Sequence, residues 1–300
     1  MSTWSAPALR QLAHAWAQAG RCAIMITVAD SKGSTPRDAG TRMLVSPNAI
    51  EGTIGGGHLE WQAIELARNA LRECKTEPPA AWTQTIALGP SLGQCCGGVV
   101  RLDFAALDEQ ALRHWPISQG MHIELHGAGH VGQAVVKLLA DLDFSVRWID
   151  TRDSDTKDSG IELCGLPDAS CLDALPPHIT WHPCDAPEDE VADAPPGAIH
   201  LVMTHRHDLD LRIIEAILRR NDSLFAGMIG SQTKKAKFLH RLEARGLSQA
   251  QLAHMSCPIG LPGLKGKEPA VIAVSVVAQL LMLRQLQAGA LPVTPDKAKP

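Results

Sequence analysis

Two adjacent thiols sit among four glycines, a proline and a glutamine in the stretch Leu88-Gly89-Pro90-Ser91-Leu92-Gly93-Gln94-Cys95-Cys96-Gly97-Gly98. Glycine lets a backbone lie close against a ligand, whereas core strands avoid it because they need side chains to pack. Neighbouring Cα atoms lie about 3.8 Å apart and unstrained disulfides want at least about 4.4 Å, so Cys95 and Cys96 read as two free thiols. In an extended segment they point to opposite faces, which lets one meet a ligand while the other packs inward. Thiolates favour soft metal centres, so contact with a metal-bearing ligand is the chemistry this stretch suggests. A buried cysteine pair beside a glycine turn is the structural alternative, because free Cys packs like a small hydrophobe.

A second group of residues points to phosphate or nucleotide. Met121 to His126 is a short apolar strand leading into Gly127-Ala128-Gly129-His130-Val131-Gly132 and then a helical stripe of Val131, Ala134, Val135, Leu138, Leu139 and Leu142. Asp150 ends the next strand, 18 residues after the last glycine, which matches the dinucleotide fingerprint in spacing and context. Gly127, Gly129 and Gly132 permit a tight turn and close approach of a pyrophosphate, and His130 lies among them. Asp150 is placed to accept from a ribose hydroxyl, and Arg152 to pair with a phosphate in bidentate fashion. Further on, Ser231 reads as the N-cap of a helix with three lysines, Lys234, Lys235 and Lys237, in its first two turns. Cations there oppose the helix dipole, which a bound phosphate would explain. His205 and His207 lie two apart after another strand, but with no third ligand in view a turn or anion-contact role is preferred to a metal.

The elements that must position these residues follow from pattern. Three hundred residues exceed one ordinary hydrophobic core, so two domains are expected. The N-terminal one, 1–112, has an opening amphipathic helix, strands at Cys22–Ala29 and Met43–Val45, and a glycine-rich turn, Gly52 to His58, leading into a helix. Strands at Trp82–Leu88 and Val99–Phe104 flank the cysteine loop, and three polar or glycine-rich loops are expected to converge. The second domain, 119–290, reads as a Rossmann-like doubly wound parallel sheet, and 291–300 as a mobile tail. The fold class is therefore α/β with a small α/β domain first. Cys164, Cys171 and Cys184 lack metal-ligand spacing and read as packing residues. The apolar run Ala270 to Leu283, broken by Ser275 and Gln279, falls short of the roughly 20 residues of a membrane span and reads as a buried helix. Being apolar nearly all round, it needs cover from the sheet or from a second subunit, which makes a homodimer the expected assembly.

Charge and composition narrow the partners. With 28 basic and 32 acidic residues the net charge is −4, which gives no general attraction to nucleic acid or acidic membranes. Met1-Ser2-Thr3-Trp4-Ser5 shows no basic n-region followed by an apolar run, so a cytoplasmic protein is expected. Eight cysteines without a C-x-x-C pair argue against a zinc ribbon or thioredoxin motif.

Taken together, Gly33-Ser34-Thr35-Pro36-Arg37, Gly55-Gly56-Gly57-His58-Leu59-Glu60, Gly93-Gln94-Cys95-Cys96-Gly97-Gly98, Gly127 to Gly132, Thr204-His205, Gly230-Ser231 with Lys234, and Pro258-Ile259-Gly260-Leu261 resemble the xanthine dehydrogenase accessory protein family, XdhC/CoxI. The resemblance covers almost the whole chain. It implies a non-catalytic chaperone that binds molybdenum cofactor, a molybdopterin, and inserts it into xanthine dehydrogenase or a related molybdenum hydroxylase after sulfuration by a cysteine desulfurase. Under that reading Gln94, Cys95 and Cys96 contact the metal end, with Cys95 or Cys96 near the molybdenum or its exchangeable sulfur. The Gly127–Gly132 turn, Arg152 and the Ser231–Lys235 helix start hold the phosphate, or a nucleotide in the Rossmann crevice. The rival reading is an NAD(P)-dependent oxidoreductase using Asp150, which lacks a recognisable catalytic acid; a scaffold with no small ligand is a third.

Overall fold

The computed structural model describes residues 6–73, 78–88, 98–113, 115, 120–151 and 166–287. Gln94, Cys95, Cys96, Arg152 and the tail 291–300 lie outside the described residues. The chain divides into two compact units, Met1–Gln119 and Gly120–Pro300.

The first unit is an antiparallel five-stranded sheet with helices on both faces. Its strands β1 (Ile24–Lys32), β2 (Arg42–Val45), β3 (Ile50–Gly52), β4 (Trp82–Ala87) and β5 (Val99–Ala106) lie in the order β3-β2-β1-β5-β4. Side chains alternate across a strand, and the two cores follow that alternation. Ile24, Ile26, Val28, Met43 and Val45 pack under α2 (Gly57–Glu73) through Leu59, Ala63 and Ala67. Met25 and Leu44 face the other way, toward α1 (Ala6–Gln18) and α3 (Glu109–Arg113). The segment after β5 is therefore part of this unit's core: Leu107, Leu112 and Trp115 are buried beside Leu9, Ala13 and Trp16.

The second unit is a six-stranded parallel sheet. Its strands are β6 (His122–His126), β7 (Ser145–Asp150), β8 (Ile179–Pro183), β9 (Ile199–Val202), β10 (Phe225–Met228) and β11 (Met255–Ser256), in the order β11-β10-β9-β6-β7-β8. Counted within the unit and from the β8 edge this is the 3-2-1-4-5-6 order of the doubly wound dinucleotide fold, with its switch point between β6 and β9. One face is covered by α4 (His130–Leu139) and α9 (Pro269–Gln287), which pack together over Ile123, Leu125, Ile199 and Leu201. The other lies under α6 (His207–Arg220), α7 (Gln232–Ala244) and α8 (Gln249–Ala253). The short helix α5 (Ala169–Asp173) precedes β8.

Helix α9 is long and apolar enough, by length and composition, to cross a membrane. Here it buries Ala273, Val276, Val277 and Leu280 in the core with α4, and exposes Val274, Met282 and Leu286. The two residues that interrupt its apolar run have structural work. Ser275 Oγ accepts from Leu261 N at 2.7 Å and Gln279 Oε1 from Gly260 N at 2.8 Å, so they fix the Gly/Pro loop that precedes the helix.

Candidate functional site

In the first unit the segment 89–97 is bracketed by Leu88 and Gly98, whose backbone N–H and carbonyl pair at 2.7 Å. Gly98 lies so close to the β1–β2 loop that a Cβ there would meet Lys32 O at 2.6 Å and Ser34 O at 2.7 Å. The same loop meets the triple-glycine turn, since a Cβ on Gly55 would lie 2.5 Å from Pro36 Cβ. Gly98, the 32–37 loop and the 55–57 turn thus converge at one end of the sheet. Gly55, Gly56 and Gly57 take φ of +121°, +75° and +63°, a run of left-handed residues that only glycine adopts without strain. Several donors of this turn are used internally, Gly55 N donating to Thr53 Oγ1 at 3.1 Å. Glu60, 3% exposed, accepts from Thr53 Oγ1, from Ile54 N at 3.0 Å and from Gly56 N at 3.1 Å. An anion does occupy the glycine turn, and it is the chain's own carboxylate.

The second unit places its chemistry-bearing loops at the carboxyl ends of its parallel strands, where this fold class binds ligands. After β6, Gly127 takes φ of +120° and a Cβ there would strike Met203 O at 2.4 Å; a Cβ on Gly132 would meet Gly127 O at 2.2 Å. Gly127 and Gly132 are therefore demanded by packing, whereas Gly129, at the uncapped N-terminus of α4, has open space around it. His130 beside it is exposed. Asp150 ends β7 as the spacing predicts, but it is buried and its Oδ2 accepts from Ala128 N at 2.6 Å. The gap at the switch point, bounded by His126, Asp150, Pro187, Thr204 and His205, is too tight to admit a water molecule. The Asp150 carboxylate is thus spent on the turn's own backbone.

Ser231 caps α7, its Oγ accepting from Lys234 N at 3.2 Å. Lys234 turns inward. Its Nζ donates to Asp210 Oδ2 at 2.6 Å and to Ile229 O at 3.0 Å, and Asp210, fully buried, also accepts from Thr204 N at 3.1 Å and Thr204 Oγ1 at 2.7 Å. This network ties the ends of β9 and β10 to α6 and α7. Lys235 instead lines a cavity of about 540 Å³ with Gly230, Gln232 and the loop Cys257 to Leu264. The structure thus gathers Gly230, the α7 start and the Pro258–Leu261 motif around one cavity, and gives the Gly127 turn and Asp150 to each other.

A polar ladder crosses the sheet on the face opposite the α4–α9 core. Glu124 is fully buried, 2.6 Å from His122 Nε2 and 2.8 Å from Arg147 Nε. Burial raises its pKa, but the hydrogen bonds from His122 and Arg147 and the charge of Arg147 outweigh that and hold it below the ordinary value. His126 and His200, both buried, stack with ring centroids 5.8 Å apart. Burial pushes His126 down to about 3 and His200 to about 4, so both are neutral at pH 7. Farther along, His182 at the end of β8 comes within 2.9 Å of Glu190, beside Cys184. Burial, then Glu190, raises the Cys184 thiol to about 11. His182 and Cys184 lie at i and i+2 about the end of β8, where residues two apart share a face.

The family model described as the XdhC Rossmann domain matches residues 123–280, more than half of the chain, and that of the XdhC and CoxI family matches residues 16–81. The chain belongs to the XdhC/CoxI family. One curated protein and one solved structure are similar to this XdhC/CoxI chain. It is 26% identical over 278 residues to the uncharacterised protein YqeB of Escherichia coli K12, covering 91% of this chain and spanning 45% of YqeB's length. The crystal structure of a xanthine dehydrogenase from Bacillus halodurans superposes with a TM-score of 0.72 at 18% identity, over 99% of this chain and 98% of that one, which shows a shared fold.

Proposed function

We propose that this chain is a molybdenum-cofactor chaperone: it binds the molybdopterin, holds it for sulfuration by a cysteine desulfurase, and passes it to xanthine dehydrogenase or a related molybdenum hydroxylase. Membership of the XdhC/CoxI family supports a general accessory role in molybdenum-cofactor handling, and a non-catalytic one. The observation that carries the reading furthest is that two family motif segments, through Gly230 and through Pro258 to Leu261, border one cavity of about 540 Å³. That volume falls within the roughly 300–1,000 Å³ of small-ligand sites. Lys235 and the α7 start supply a cation and helix N–H donors for the cofactor's phosphate. The thiols of Cys95 and Cys96 are the sulfur contacts to the metal, with Gln94 beside them a further cofactor contact. Arg152, Gly129 and His130 remain second candidates for phosphate. Delivery requires release, so the affinity is moderate.

Gel filtration after incubation with cofactor, and separately with NAD, tests this. The cofactor's pterin and molybdenum are expected to co-elute with the protein at close to one per chain, and NAD to separate from it, because the Asp150 carboxylate is engaged with Ala128 N. Stoichiometric retention of NAD with the cofactor ignored would reverse the assignment in favour of an oxidoreductase.

A further inference from the structure

We infer that His182, Cys184 and Glu190 form a three-ligand Zn²⁺ site at the carboxyl end of β8. One ligand atom from each, an imidazole nitrogen, a thiol sulfur and a carboxylate oxygen, all lie within 4.8 Å of one another. A tetrahedral zinc with bonds of about 2.0–2.3 Å holds its ligands about 3.3–3.8 Å apart, so the cluster needs only small side-chain adjustments to close on the ion. The register of the chain explains the convergence. His182 and Cys184 share a face at the strand end, Cys184 N donates to Asp150 O at 3.0 Å to fix the backbone, and Glu190 begins the 3-10 turn Glu190–Asp193 that folds back over them.

His182 supplies a second, independent sign. Its Nε2 is buried and faces Glu190 Oε2 at 2.9 Å, yet makes no hydrogen bond with it. A buried nitrogen that makes no hydrogen bond is a lone pair left for a metal to take up. The imidazole is 39% exposed overall, which leaves an ion a path in.

Charge closes the argument. Arg147 bridges Glu124 and Glu190, donating from Nε to the first and lying 3.0 Å from the second through Nη1. One cation between two carboxylates leaves an excess negative charge. A divalent ion, with the Cys184 proton released to solvent, brings these groups to neutrality. A mixed N, S, O donor set suits zinc better than the oxygen-seeking Mg²⁺ or Ca²⁺, and three protein ligands leave the fourth position for water or an exchangeable ligand.

Cobalt titration of the chelator-stripped full-length protein, followed by competition with Zn²⁺, tests the site. One equivalent of Co²⁺ is expected to give visible d–d bands and a near-ultraviolet thiolate-to-cobalt band, both bleached by Zn²⁺. Cys184→Ser should abolish the thiolate band, and His182→Ala and Glu190→Gln should weaken binding about tenfold or more. The Cys95→Ser, Cys96→Ser protein should keep the band. Circular dichroism confirms that each variant is folded. A thiolate band that survives Cys184→Ser, or folded wild-type protein that takes up no cobalt, overturns the assignment.

Discussion

Replacing Lys234 with alanine is expected to cost about 3–5 kcal/mol of folding stability, the typical loss when one partner of a buried ion pair is removed. Asp210 is fully buried and receives the Lys234 ammonium at 2.6 Å together with two bonds from Thr204. Without the lysine its charge has no counterion, and Ile229 O also loses a donor. Removing both charges in Asp210→Asn, Lys234→Met should cost much less than Lys234→Ala, because no unpaired charge is left behind. Denaturant unfolding of the three proteins measures this directly. A Lys234→Ala loss below about 1 kcal/mol, the range of exposed pairs, would mean that the network does not join β9 to β10 energetically. The result bears on function as well: an ammonium held by Asp210 and Ile229 leaves Lys235 as the α7 cation facing the cavity.

Acid should unfold the second unit well before ordinary carboxylates titrate. His126 and His200 have folded pKa values of about 3 and about 4 against 6.5 for a free histidine, chiefly through burial. Between these limits the unfolded chain binds protons that the folded chain refuses, so stability is full above pH 6.5 and falls as pH falls. Each histidine contributes about 1.4 kcal/mol per pH unit, hence a slope of up to about 2.7 kcal/mol per unit near pH 5. Depression of the Glu124 pKa adds loss in the same direction at lower pH. Denaturation curves at pH 7, 6 and 5 should show this slope, and His200→Asn should flatten it. Equal stability at pH 7 and 5 would show that the two rings find protons and partners inside the fold.

Local pattern carried much of this fold. The glycine signature after β6, the stripe along α4 and the position of Asp150 are all within one strand, turn and helix, so spacing alone located them. Ser231 was recognisable as a cap for the same reason. Strands β8, β10 and β11 were not, because four or five residues interrupted by Pro183 or Gly227, or only two residues, give no period to read. The antiparallel pairing of the first sheet was equally hidden, since register is a long-range property.

At the site, residue types were easier to read than their partners. Glycine turns suggest anions, but that Glu60 and Asp150 supply the carboxylates internally depends on how α2 and β7 return to their turns. Lys234 signals charge near a helix start, and only the packing of α6 beside α7 shows that Asp210 receives it. His182, Cys184 and Glu190 meet across a turn whose geometry the sequence between them does not encode in any short pattern.

The most direct measurement compares the molybdenum retained, after gel filtration with cofactor, by the wild-type chain and by the Cys95→Ala, Cys96→Ala variant. Loss of an outer contact to a metal centre already costs about 10–100-fold in affinity, so loss of both thiols should lower retention about tenfold or more. The thermal midpoint should stay where it was, because a glycine-rich sequence offers few side chains for a core to lose. Equal molybdenum in the two proteins, both folded, would contradict the assignment of this cysteine pair to the cofactor.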